Sequence, residues 1–91
     1  MEKHIEEVEG ADLDALVDAI VGRTTTNAEI HALMEAAGHY VATNPERLRR
    51  DDPRYFTSPV GDGRLVFGPS HLVVMKRAFV AAHRGMLVDV S

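Results

Sequence analysis

Residues 70–84 read S-H-L-V-V-M-K-R-A-F-V-A-A-H-R, and a helix of that composition is apolar on more sides than a surface helix requires. At about 100° per residue, Leu72, Val74, Met75, Ala78, Phe79, Ala81 and Ala82 sweep out one face. That face covers roughly half the circumference, wider than the usual buried stripe. Val73 and Val80 lie a heptad apart on the opposite side, between Lys76, Arg77 and Arg84. This second seam needs a cover, either from elsewhere in the chain or from another molecule. The expectation adopted is the latter: Val73, Val80, Arg77 and Arg84, together with the apolar tail Met86, Leu87 and Val88, form an interface for self-association.

Ninety-one residues make one domain, spanning 1–91. With 45% hydrophobic and 26% charged residues, the composition is that of an ordinary globular protein. The chain has no cysteine, which excludes disulfides, thiolate metal sites and a cysteine nucleophile. The opening M-E-K-H-I-E-E-V-E-G lacks the apolar core of a secretory signal. No window approaches the roughly 18 apolar residues of a membrane span. A soluble cytoplasmic protein that does not contact membranes is expected. Residues 1–9 read as a frayed acidic tail or one extra helical turn.

The net charge of -4 is unevenly spread. Glu2, Glu6, Glu7, Glu9, Asp12, Asp14 and Asp18 crowd the first twenty positions against Lys3. Arginines and lysines dominate from Arg47 to Arg84. An acidic helix folded beside a basic half accounts for this, and a surface for an acidic partner or nucleic acid is the alternative.

Local patterns place the elements. Leu13, Leu16, Val17, Ile20 and Val21 follow the spacing of one buried helical face, with Asp12 as cap and Gly22 as terminator. Thr26 and Glu29 form a capping box opening a second helix, whose face runs through Ile30, Leu33, Met34, Ala37 and Val41. Asn44-Pro45 starts a short polar helix to about Arg50. Tyr55 to Thr57 and Arg64 to Phe67 flank a glycine-rich tip and read as a hairpin. Ser70 caps the last helix and Gly85 ends it. The tail Met86–Val90 adds a strand to the hairpin or clasps the second seam. The fold class is therefore mainly α: three main helices and one short one, with a β-hairpin inserted before the long C-terminal helix. The core is expected to hold Leu13, Leu16, Val17, Ile20, Ile30, Leu33, Met34, Ala37, Val41, Phe67, Leu72, Met75, Phe79 and Ala82.

No motif of catalysis emerges. His31, Glu35 and His39 step along the second helix at four-residue intervals and are weak candidates for a metal site. They drift out of line and face away from the apolar stripe, so a solvated face is the better reading and no metal or other cofactor is expected. Val60-Gly61-Asp62-Gly63-Arg64 lacks both the Walker and the dinucleotide patterns. Nothing assembles a nucleophile, a base and an orienting group. The leading expectation is a non-catalytic protein–protein interaction module. It would be a small regulator or inhibitor of the kind found among phage and bacterial accessory proteins, forming a homo-oligomer, most simply a dimer, and binding a partner protein. The element order also allows a winged-helix-like DNA-binding regulator, with Arg47, Arg49 and Arg50 toward the groove and Arg64 on the wing. An isoelectric point near 5.6 and the apparent continuity of the second helix from 24 to 42 weigh against it. A small-ligand or nucleotide site at a subunit interface is the remaining alternative.

Overall fold

The C-terminal helix is the axis around which the other elements are laid. The computed structural model describes residues 1–36, 38, 41–43, 55–57 and 65–90. In chain order these form β1 (Glu2–His4), a 3-10 turn (Ile5–Glu7), α1 (Gly10–Val21), α2 (Asn27–Ala36), β2 (Val41–Thr43), β3 (Tyr55–Thr57), β4 (Phe67–Gly68), α3 (His71–Arg84) and β5 (Leu87–Asp89). The result is a small, mainly helical domain with short antiparallel strands. The short helix expected from Pro45 to Arg50 and the glycine-rich tip at 58–63 lie outside the described residues.

α3 packs against α1, α2, the 3-10 turn, β2, β3, β4 and β5. Helices therefore cover one flank, and strands together with the N-terminal arm cover the other. This overturns the reading of Val73 and Val80 as an outer seam. Val80 is 0% exposed inside the main hydrophobic cluster, Val73 packs partly buried against that cluster, and Arg77 is only 4% exposed. The apolar surplus of α3 belongs to a central helix that is buried from Val74 to Ala81 apart from the half-buried Lys76, and exposed at His71 and from Ala82 to Arg84. β4 lies so close that a Cβ on Gly68 would stand 2.6 Å from Val74 Cγ2 and 3.1 Å from Arg77 Nη1. Val74 is fully buried and stiff at χ1, so only glycine fits where the strand crosses the helix.

The helix ends follow local chemistry. Glu29 N–H donates to Thr26 Oγ1 at 3.2 Å, and Thr26 N–H donates to Glu29 Oε1 at 3.3 Å, a reciprocal capping box. Arg23 ion-pairs with the same carboxylate. Hydrogen bonding from Arg23, then from the Thr26 amide, holds Glu29 below its ordinary range. Ser70 Oγ accepts from Val73 N–H at 3.3 Å, and Gly22 and Gly85 close α1 and α3 at φ 89° and 85°. α1 begins at Gly10, two residues before the expected cap Asp12, and Glu9 at its N-cap makes no side-chain bond.

α2 does not continue to Val41. It ends at Ala36, and Gly38 adopts φ 82°, a left-handed conformation that glycine reaches without strain. Val41–Thr43 is then a strand, suited by its β-branched residues, in a three-stranded antiparallel sheet ordered β2-β3-β4. Val41 is opposite Thr57 and Thr43 opposite Tyr55; across β3 and β4, Tyr55 is opposite Gly68 and Phe56 opposite Phe67. Leu33, expected in the core, is 41% exposed, and Ala82 is exposed as well. Ala37 lies outside the described residues.

Residues 1–8 are not a frayed tail. β1 pairs antiparallel with β5, with Glu2 opposite Asp89, Lys3 opposite Val88 and His4 opposite Leu87. Ile5 and Val8, the two apolar residues among the glutamates, are both buried. The C-terminal tail is accordingly a strand whose partner is the N-terminal arm and not the β2-β3-β4 sheet.

Candidate functional site

Among the described residues two features stand apart from ordinary core packing: a buried polar junction at Arg77 and the outer edge of β5, which no other described strand covers. In the junction, Arg77 Nε donates to Val8 O and its Nη1 donates to Phe67 O, both at 2.9 Å. Phe67 N–H donates to Glu6 Oε2 at 2.9 Å. The peptide of Phe67 is thus gripped on both sides, its amide by Glu6 and its carbonyl by Arg77. Burial pushes the guanidinium below its ordinary value while Glu9 and Glu6 oppose that shift. Arginine remains charged at neutral pH under such shifts. Arg77 therefore ties the N-terminal arm and β4 to α3. It is a structural group and not the interface residue its position on the helix suggested.

The edge is built by the parity of the β1–β5 ladder. Val90 N–H donates to Met1 O at 2.8 Å and Ile5 N–H donates to Met86 O at 2.7 Å. In an antiparallel pair such bonded positions alternate with positions whose backbone groups point away. Val88 is therefore turned toward β1, while the N–H and C=O groups of Leu87 and Asp89 point to the opposite, outer edge. Among the described residues β5 pairs with β1 alone. Side chains alternate in the orthogonal sense: Val88 and Val90 are buried, Leu87 is 56% exposed.

Beside β5 runs a groove against α1. A hollow of about 310 Å³ is lined by Leu16 and Ala19 of α1, Arg84 of α3, and Leu87, Val88 and Asp89. A second, of about 190 Å³, shares Leu16 and Asp89 and adds Asp12, Ala15 and Val90. Most of the lining is apolar; of its charged residues Arg84 lines the first hollow, Asp12 the second, and Asp89 both. Asp89 accepts from the Met1 ammonium at 2.8 Å, and this bond, with the attraction of the ammonium charge, holds its carboxyl below the usual range.

Of the expected interface residues, Arg84, Leu87 and Val88 line this groove, Met86 is partly buried in the core, and Val73, Arg77 and Val80 are turned inward. Leu16, Ala15 and Ala19 also line the groove, and no local pattern in the sequence marks them for it. His31 and Glu35 are exposed on α2, and His39 lies outside the described residues. Among the described residues no cluster of three or more His, Asp or Glu side chains is placed to hold a metal ion. Arg47, Arg49, Arg50 and Arg64 also lie outside the described residues. Of the described bases in the C-terminal half, Arg77 is buried, Lys76 Nζ is held by Asp14 at 2.5 Å, and Arg84 is exposed. His83 packs over Phe79 with ring centroids 4.6 Å apart, and its Nδ1 donates to Phe79 O at 2.9 Å, a capping role at the end of α3. No described helix is long and apolar enough to cross a membrane. The chain matches no protein-family model, no curated protein and no solved structure.

Proposed function

We propose that this chain is a non-catalytic protein-interaction module that takes an extended polypeptide segment along the outer edge of β5. The carrying observation is the outward-pointing backbone of Leu87 and Asp89 beside the apolar groove of Ala15, Leu16 and Ala19. Adding a strand to such an edge lets main-chain bonds supply affinity and the adjoining groove supply selectivity. An exposed edge carrying a large apolar side chain is otherwise a liability that proteins blunt with charge, proline or a cover. β5 is short and carries the exposed charge of Asp89, yet beside it the edge keeps Leu87, 56% exposed.

The test is selection of displayed extended peptides against the folded chain, followed by amide exchange of the complexes. Bound peptides are expected to slow exchange at Leu87 and Asp89. Leu87→Pro, which removes an amide that makes no bond to β1, is expected to abolish their binding while the helical circular dichroism signal persists. Selected peptides that protect other surfaces and leave both amides unchanged would remove the proposal.

A further inference from the structure

We infer that the segment taken by β5 is the β5 strand of a second copy of this chain, paired antiparallel about a two-fold axis through Val88. The inference rests on the reading that β5 accepts a strand, and adds which strand and in what register. The ladder parity is self-complementary. With Val88 opposite the partner's Val88, Leu87 is opposite the partner's Asp89, and each such pair exchanges two N–H···O bonds. The symmetry repeats the pair, so all the outward groups of Leu87 and Asp89 are satisfied at once, the mark of an isologous contact.

Neighbouring registers are worse. Sliding the axis to Asp89 sets two aspartates directly opposite, which is destabilising. Sliding it to Leu87 sets Asp89 opposite Gly85, whose φ of 85° is not that of a strand. A one-residue slip would present inward-bonded groups to the new partner.

The charge of the groove selects the same arrangement. Arg84 lines only the hollow on the Leu87 side and Asp12 only the hollow on the Val90 side. Antiparallel apposition brings the arginine end of one copy to the aspartate end of the other, whereas parallel apposition would bring like charges together. The exposed Leu87 side chain is carried to the contact by the same operation. An interface built on a three-residue strand is small, so association at micromolar rather than nanomolar concentration is the consequence.

The chain has no cysteine, so introduced thiols report the register without background. Leu87→Cys and Asp89→Cys place thiols at solvent-facing positions, which leaves folding intact. Mixed in equal amounts under mild oxidation at several hundred micromolar, they are expected to form the mixed disulfide dimer several-fold faster than either forms its own. Sedimentation of the unmodified chain at that concentration is expected to show twice the 10.0 kDa chain mass. Leu87→Pro should return it to the monomer. A monomer throughout overturns the inference, as does preferential self-linking of Leu87→Cys. If the chain is monomeric and displayed peptides still protect the Leu87 and Asp89 amides, the second copy is the wrong occupant and the open edge stands. If neither binds, both fall.

Discussion

Val80→Asp is expected to unfold the protein. Val80 is 0% exposed and sits in the cluster that joins α3 to Ile5, Val8, Val66 and Val88. An aspartate there either buries a charge or takes up a proton and still buries a polar group, at a cost of at least ~4 kcal/mol with the lost packing included. Domains of this size hold about 5–15 kcal/mol in total, and the smallest ones sit at the low end. The helical signal at 25 °C should therefore be largely lost, or the urea midpoint should fall to a small fraction of its original value. Leu33→Asp is the matched control. Leu33 is 41% exposed on α2, and a change there should cost only about 1–2 kcal/mol, from lost helix propensity and partial burial, well short of the loss at Val80. A Val80→Asp chain that folds normally and differs only in its state of association would mean that this flank of α3 faces outward.

Arg77→Ala should produce the second large loss. The guanidinium makes two charge-assisted bonds to backbone carbonyls from a buried position. Bonds of this class contribute about 1.5–3 kcal/mol each, and truncation also leaves a cavity, so a net loss of about 3–5 kcal/mol follows after the arginine's own desolvation is relieved. The effect should be spatially specific. Because Val8 and Phe67 belong to the N-terminal arm and to β4, amide exchange should rise first in residues 1–8 and 65–68. Arg77→Lys should recover less than half the loss, because an ammonium cannot present the planar fork that reaches two carbonyls. A loss below about 1 kcal/mol by urea denaturation would place these bonds with ordinary surface contacts.

How much of this was legible in the chain depended on the range of the interaction. The capping box at Thr26 and Glu29, the Ser70 cap and the glycine stops at 22 and 85 are set by residues within one helical turn, and they were read directly. The breadth of α3's apolar surface was equally plain, but its cause was not. Whether Val80 meets another part of the chain or another molecule depends on residues far away in sequence. The cover came partly from an arm whose only apolar signals are Ile5 and Val8 among glutamates. The β1–β5 pairing joins residues 2–4 to 87–89 and leaves no local trace, because each strand is too short to show an alternation of its own. At α2 the periodicity of Ile30, Leu33, Met34, Ala37 and Val41 runs past Gly38, and the turn at that glycine overrides it. The groove was half visible: Leu87 and Val88 stood out as an apolar tail and Arg84 as a charge beside the expected seam, whereas the alanines of α1 that leave space for it carried no mark.

The outer edge of β5 is the claim on which the functional account depends, and backbone amide exchange at two protein concentrations tests it most directly. In dilute solution Val88 and Val90, turned toward β1, should exchange slowly, while Leu87 and Asp89 exchange at rates near those of an open chain. At several hundred micromolar Leu87 and Asp89 should become protected as well. Slow exchange of Leu87 and Asp89 already in dilute solution, matching that of Val88, would contradict the account, because it would mean that the chain covers this edge itself.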